Sequence, residues 1–259
     1  MLGPLFLILS LIPGVLVFLW FKKFKEDELY KKTCDDVLKQ GLLSRFVLVA
    51  CVRVFSILWA LTGLTGKNLY LDEFINDFIK AAFFEELVKM MLTFKIMKKN
   101  QISVSKLDLI VFFCIMGMGF GASESLVYMF TTSPRQILFR GLTLGHGTYG
   151  LIMGSFFAKY YESGKESYKY RAYLVPFLIH GFYDFGLSPG VADIFGIISV
   201  TSVAVLFVYL VVKLLKINKH RNEPEFATII HYFKELPEET NEGKTETETE
   251  TEAEVETEA

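Results

Sequence analysis

The sequence predicts an all-α membrane protein, a polytopic bundle of about seven transmembrane helices with its N-terminus outside and its C-terminus in the cytoplasm. Two observations predict this class. Hydrophobic residues make up 52% of the 259 residues and mean hydropathy is +0.37, which is too apolar for an ordinary soluble domain of this length. Lysine and arginine are also concentrated in alternate loops between apolar stretches, as in the cytoplasmic loops of polytopic proteins.

Each apolar stretch is near the ~20 residues that a helix needs to cross a bilayer core. The stretches cover residues 1–21, 45–64, 73–94, 107–130, 137–158, 172–187 and 190–212. The first has no basic residues before it and no small-residue cleavage site after it, so we expect a retained span rather than a signal peptide. The loops after the first, third, fifth and seventh stretches carry most of the basic residues. The other loops contain only Lys67 and Arg135, so the alternation requires the charged third stretch to span as well.

The chain divides into a membrane domain at 1–221 and an acidic cytoplasmic tail at 222–259. Repeated Thr-Glu pairs predict that the tail is largely disordered. The loop at 22–44 is long enough for an amphipathic surface helix, but its mixed charges favour a solvated connector. Scattered basic residues give no stripe for nucleic acid. The three cysteines lack metal-ligand spacing and cannot all pair, so they indicate neither a disulfide framework nor a zinc ribbon.

Ionisable residues lie inside four of the apolar stretches, where each is costly to hold unless it has a function. The third stretch contains Phe83-Phe84-Glu85-Glu86-Leu87-Val88-Lys89, the fourth Glu124, the fifth His146, and the sixth His180 with Asp184. At ~1.5 Å per residue these side chains fall at overlapping depths. One shared cavity is therefore the economical explanation, because isolated buried charges would each need a separate partner.

Lys89 lies four residues after Glu85 and three after Glu86, so on a helix it is close to both. We expect it to be the charge partner of the acids, in a salt bridge with Glu85, rather than a catalyst. His180 and Asp184 share a helical face and could form a purely structural pair. Two hydrolytic routes stay open: a glutamate deprotonating a water molecule held by histidine, or a zinc ion bound by His146, His180 and a carboxylate.

These residues resemble the motifs of the PrsW family of intramembrane proteases. Glu85-Glu86-Leu87-Val88-Lys89 looks like its Glu-Glu-x-x-Lys signature, and Phe120-Gly-Ala-Ser-Glu124 looks like its second motif. His146 and the His180-x-x-x-Asp184 spacing are similar to the remaining motifs in order and spacing, and the resemblance covers roughly residues 75–190. The related CAAX prenyl proteases have Glu-Glu-x-x-x-Arg and a second motif ending in His, so the Lys89 spacing and Glu124 favour PrsW.

The resemblance implies endoproteolysis of a membrane-anchored protein, such as an anti-sigma factor, by a multi-pass protein of the cell membrane. It implies that Glu85 and Glu86 are the water-activating acids. Glu124, His146 and His180 would complete the site as zinc ligands, and Asp184 would orient His180 or hold an oxyanion donor. The alternatives are an endopeptidase like the CAAX prenyl proteases, a proton-coupled transporter with a Glu/His relay, and a non-catalytic scaffold. No inverted repeat supports the transporter.

Overall fold

The computed structural model describes residues 3–130, 141, 144–188 and 193–220, and within them all regular structure is helical. The elements, in chain order, are α1 (Gly3–Lys22), α2 (Glu28–Leu61), α3 (Leu69–Phe74), a π-helical segment (Ile75–Phe83), α4 (Phe84–Lys99), α5 (Lys106–Tyr128), α6 (Gly145–Ser163), α7 (Glu166–Leu187) and α8 (Asp193–Lys219). The acidic tail predicted at 222–259 lies outside the described residues.

The seven predicted stretches correspond to seven helical rods in the described part of the chain, because α3, the π-helical segment and α4 run on without a break. Four of the described helices are long and apolar enough to cross a membrane by length and composition: α1, α2, α5 and residues 194–219 of α8. The other three rods carry Glu85, Glu86 and both site histidines, and such polar residues lower their hydropathy. The predicted fold class is confirmed.

Helix α2 differs from the prediction at its beginning. It starts at Glu28 rather than near residue 45, capped by the Asp27 side chain, which accepts a hydrogen bond from the Leu29 N–H. The solvated connector predicted at 22–44 is therefore wrong: most of it is helix, with Tyr30, Cys34 and other side chains buried. A helix of 34 residues is about 51 Å long, so α2 must tilt or extend beyond a ~30 Å bilayer core.

Helix α5 is the central element, buried along most of its length between α2 and α6. Its first turn is closed by a capping box, in which Ser105 and Asp108 bond to each other's backbone N–H groups, and Lys25 pairs with Asp108 at 2.5 Å. Glycines let α6 approach closely: a Cβ on Gly117 would lie 2.0 Å from the His146 carbonyl oxygen, and one on Gly150 2.1 Å from that of Phe113. This contact sets the position of His146 relative to α5.

Candidate active site

Glu85 and Glu86 begin helix α4, directly after the π-helical segment, and both are buried. π-Helical turns are rare, and they are frequent at functional sites. The Phe83 carbonyl accepts a 2.9 Å hydrogen bond from the Tyr173 hydroxyl of α7. Helix α7 therefore fixes the segment that immediately precedes the two acids.

Glu86 binds two partners through one oxygen. Its Oε1 lies 2.6 Å from Lys89 Nζ and 2.8 Å from His180 Nδ1. The sequence placed Lys89 in a salt bridge with Glu85; the structure pairs it with Glu86 instead, three residues away. Glu85 points towards the histidines, which leaves Glu86 as the acid beside Lys89.

His180 of α7 is 2% exposed and has carboxylates around both ring nitrogens. Its Nδ1 faces Glu86, while its Nε2 lies 3.1 Å from Asp184 Oδ2 and 3.8 Å from Glu85 Oε2. The Tyr149 ring stacks on the imidazole with a centroid separation of 4.7 Å. These contacts hold His180 in one orientation, with Nε2 towards Glu85.

His146 lies in the first turn of α6, and most of the predicted span before Gly145 lies outside the described residues. Its Nε2 is 2.7 Å from Glu124 Oε2, so a carboxylate from α5 engages one side of the ring. Its Nδ1 is 3.0 Å from Lys89 Nζ and 4.0 Å from Glu85 Oε2. Each imidazole thus binds a carboxylate with one nitrogen, while its other nitrogen lies 3.8 or 4.0 Å from Glu85 Oε2 and closer to Asp184 in His180 or to Lys89 in His146.

Glu85, His146 and His180 form the group of described residues that could hold a metal ion, with one ligand atom from each within 4.8 Å of the others. The ligand set expected from the sequence contained Glu124 in place of Glu85. In the structure Glu124 binds the far nitrogen of His146, so it lies behind the ring and outside this group. The six predicted site residues and Lys89 nevertheless lie together, from four helical rods.

A cavity of ≈ 260 Å³ opens beside this cluster. Its polar end is formed by Glu124, His146, His180 and Asp184, and its remaining wall is mostly apolar or small side chains of α1, α2, α5 and α6. Glu85 and Glu86 are not among the described residues that line it. The cavity therefore reaches the cluster through the histidines, Glu124 and Asp184.

The sequence profile described as PrsW family intramembrane metalloprotease matches residues 39–215, which is more than half of the chain. The chain belongs to this family. It is therefore an intramembrane protease and a multi-pass protein of the cell membrane. Such a protease lies in the lipid bilayer and acts on a membrane protein. The matched region is wider than the motif region expected at 75–190, since it includes much of α2 and α8.

Individual PrsW proteases are similar at lower identity. Protease PrsW of Clostridioides difficile (strain 630) is 26% identical over 188 residues, covering 69% of this chain and 77% of that protein. Protease PrsW of Geobacillus kaustophilus (strain HTA426) is 26% identical over 176 residues, covering 66% and 75%, respectively. Protease PrsW of Shouchella clausii (strain KSM-K16) is 28% identical over 166 residues, covering 61% and 76%. No solved structure matches the chain.

The PrsW family is described as metalloproteases, and the residues present fit a cation. Glu85 Oε2, the atom that both imidazoles face, is buried and has no hydrogen-bond partner among the described residues. Such an atom is costly to bury unless something binds it. Glu85 and Glu86 also outnumber the ammonium of Lys89 by one charge. A carboxylate on the far nitrogen of each histidine is the usual second shell of a metal site.

The sequence reading missed two side chains at this PrsW site. Tyr149, three residues after His146, stacks on His180, and Arg45 of α2 lies 3.6 Å from Glu124. Arg45 had a visible signal, since it and Arg53 are charged residues in a largely apolar stretch. Tyr149 had none, because a tyrosine in a membrane helix is ordinarily a packing residue.

Proposed function

We propose that this PrsW protease hydrolyses a peptide bond of a single-span, membrane-anchored protein, with zinc held by Glu85, His146 and His180. The observation that carries the proposal is the convergence of both imidazoles, which line the polar end of the cavity, on Glu85 Oε2, a buried atom with no hydrogen-bond partner among the described residues. A bound zinc ion would supply Lewis acidity towards the scissile carbonyl and lower the pKa of a water molecule.

Two carboxylates position the histidines. Glu86 accepts a hydrogen bond from His180 Nδ1 and is engaged by Lys89, and Glu124 accepts one from His146 Nε2. The opposite nitrogens, His146 Nδ1 and His180 Nε2, lie 4.0 and 3.8 Å from Glu85 Oε2 and are the ones that would bind zinc, in place of their present contacts with Lys89 and Asp184. Glu86 thus acts on the site through His180, which differs from the water-activating role that the family resemblance implies.

Asp184 is our candidate for the general base. It lines the cavity and lies 3.1 Å from His180 Nε2, so it can reach a water molecule held beside that ring. The water gives its proton to Asp184 as its oxygen bonds to the scissile carbonyl carbon. The proton then passes to the leaving nitrogen as the C–N bond breaks, which restores the carboxylate.

The apolar part of the cavity suits the residues that flank the scissile bond. Its wall includes Leu11, Val15 and Phe18 of α1 and Leu38 and Leu42 of α2, which offer no hydrogen bonds to polar side chains. We therefore expect apolar side chains on at least one side of the cut.

The test is cleavage of a single-span substrate by the full chain in lipid nanodiscs, together with zinc analysis of the purified protein. We expect His180→Ala to lose both zinc and cleavage. Asp184→Asn should keep zinc while kcat falls about 10²–10⁴-fold, the usual range for loss of a general base. His220→Ala, at the end of α8 and outside the site, is the matched control and should cleave normally. Normal cleavage by His180→Ala would refute the site, and normal cleavage by Asp184→Asn would refute the base.

A further inference from the structure

We propose that Arg45 of α2 is a positioning residue of this site, which holds Glu124 in the orientation that fixes His146. The inference rests on the proposed function. It adds a fifth helical rod to the four that carry the predicted site residues.

The contacts form a chain from α2 to the imidazole. Arg45 Nη1 lies 3.6 Å from Glu124 Oε1, and the other oxygen of the same carboxylate lies 2.7 Å from His146 Nε2. Glu124 is thus held at both oxygens, by a cation on one side and by the imidazole on the other. A carboxylate engaged in this way cannot rotate without weakening one of the two contacts.

The surroundings of Arg45 indicate that this placement is specific. Its side chain is 22% exposed, and its guanidinium lies 6.0 Å from the Phe120 ring centroid and 5.8 Å from that of Tyr128. Arginine favours such positions over aromatic rings. Nη1 is buried and makes no hydrogen bond within the described part of the chain, so Glu124 is what compensates its charge there.

The second arginine of α2 gives the contrast. Arg53 lies about two turns further along the same helix, on an exposed position, and has no ion pair within the described residues. An arginine that only anchored α2 to lipid headgroups could sit at either position. The burial of Arg45 against Glu124 is therefore the feature that requires an explanation.

The orientation of a histidine by a carboxylate typically contributes 10–100-fold to metal affinity or activity. Since Arg45 acts through Glu124, we expect Arg45→Gln to weaken zinc affinity and lower kcat by about 10-fold, with KM nearly unchanged. Arg45→Lys keeps the charge and should recover part of the loss. Arg53→Gln is the matched control and should behave as wild type.

The experiment measures zinc affinity by chelator competition, kcat and KM on the single-span substrate, and thermal unfolding in nanodiscs, for Arg45→Gln, Glu124→Gln and the double variant. If Arg45 works through Glu124, adding Arg45→Gln to Glu124→Gln changes zinc affinity and kcat by less than twofold, because the two effects are not additive. Additive losses, or a loss confined to thermal stability, would show a structural role and overturn the inference.

Failure of the inference is distinguishable from failure of the proposed function. If the wild type binds zinc and cleaves, but Arg45→Gln matches it in both, only the role of Arg45 is refuted. A wild type that neither binds zinc nor cleaves refutes the proposed function, and the role of Arg45 with it.

Discussion

At the scale of single residues, the site depends on which oxygen meets which nitrogen. Glu85 and Glu86 are neighbours in the chain, yet they have different partners: Glu86 binds Lys89 and His180, while Glu85 Oε2 faces both imidazoles and has no hydrogen bond to a described residue. Adjacent helical positions point about 100° apart, so two neighbouring acids reach different groups. In the function that we propose, one of the two acids of the motif positions a histidine and the other is a candidate ligand.

The Glu86–Lys89 ion pair is nearly inaccessible, with both side chains 3% exposed or less. Breaking a buried pair from one side leaves an uncompensated charge and typically costs about 3–5 kcal/mol, whereas replacing both partners by neutral groups is often much milder. We therefore expect Lys89→Met to lower stability strongly and the double variant Glu86→Gln/Lys89→Met to recover much of the loss. Thermal unfolding in nanodiscs measures the stability of both variants against the wild type. Equal destabilisation by the single and double variants would contradict it. The matched surface control is Lys169→Met, whose partner Glu166 is exposed.

At the scale of elements, α1 is the least buried of the helices that line the cavity. Of its described residues only Ser10 and Phe21 are buried, while one face lines the cavity with Gly14 and Val15. Side chains on that face therefore meet whatever occupies the cavity, and those on the opposite face meet lipid.

A larger side chain at Gly14 should occupy the substrate space. Among the described residues, a Cβ there would have only Leu144 Cδ2 within 4 Å, at 3.7 Å, so these residues leave space for a side chain. We expect Gly14→Phe to lower kcat/KM for the membrane-anchored substrate at least 10-fold while thermal stability and zinc content stay near wild type. Leu16→Phe, on the exposed face of the same helix, is the control and should cleave normally. Unchanged kcat/KM in Gly14→Phe would mean that the substrate does not enter this cavity.

At the scale of the whole molecule, alternate basic loops predict an orientation, with the N-terminus outside and the C-terminus in the cytoplasm. The helical rods agree with the number of crossings that this orientation needs. The orientation itself stays a prediction, because helix packing is the same whichever side faces the cytoplasm.

Exposed lysines in two loops test the orientation. Lys67 lies between α2 and α3, and Lys165 between α6 and α7. In a Cys51→Ala background we expect a membrane-impermeant maleimide to label Lys67→Cys in intact cells, and to label Lys165→Cys only after the membrane is opened. The two buried native cysteines should stay unlabelled. The opposite labelling pattern would mean that the bundle is inserted the other way round.

The sequence by itself determined the helices and the residues that each brings to the site. Hydropathy and loop charge are local properties, so they locate the spans, and ionisable residues stand out against an apolar background. The motif spacing was specific enough to indicate the PrsW family, which the profile match confirms. The capping box of Ser105 and Asp108 at the start of α5 is local in the same way, because capping depends only on residues close in the chain.

Only the tertiary structure decided which side chains contact one another. The Lys89 pair with Glu86, Glu85 in place of Glu124 beside the histidines, and Arg45 behind Glu124 all depend on the rotation and offset of packed helices. Those are set by non-local contacts, such as the approach of α6 to Gly117, and by a π-helical turn that shifts the register before Glu85. A shift of one residue in helix register turns a side chain by about 100°. The hydrophobic periodicity of one sequence does not fix the register closely enough to say which neighbour that side chain faces.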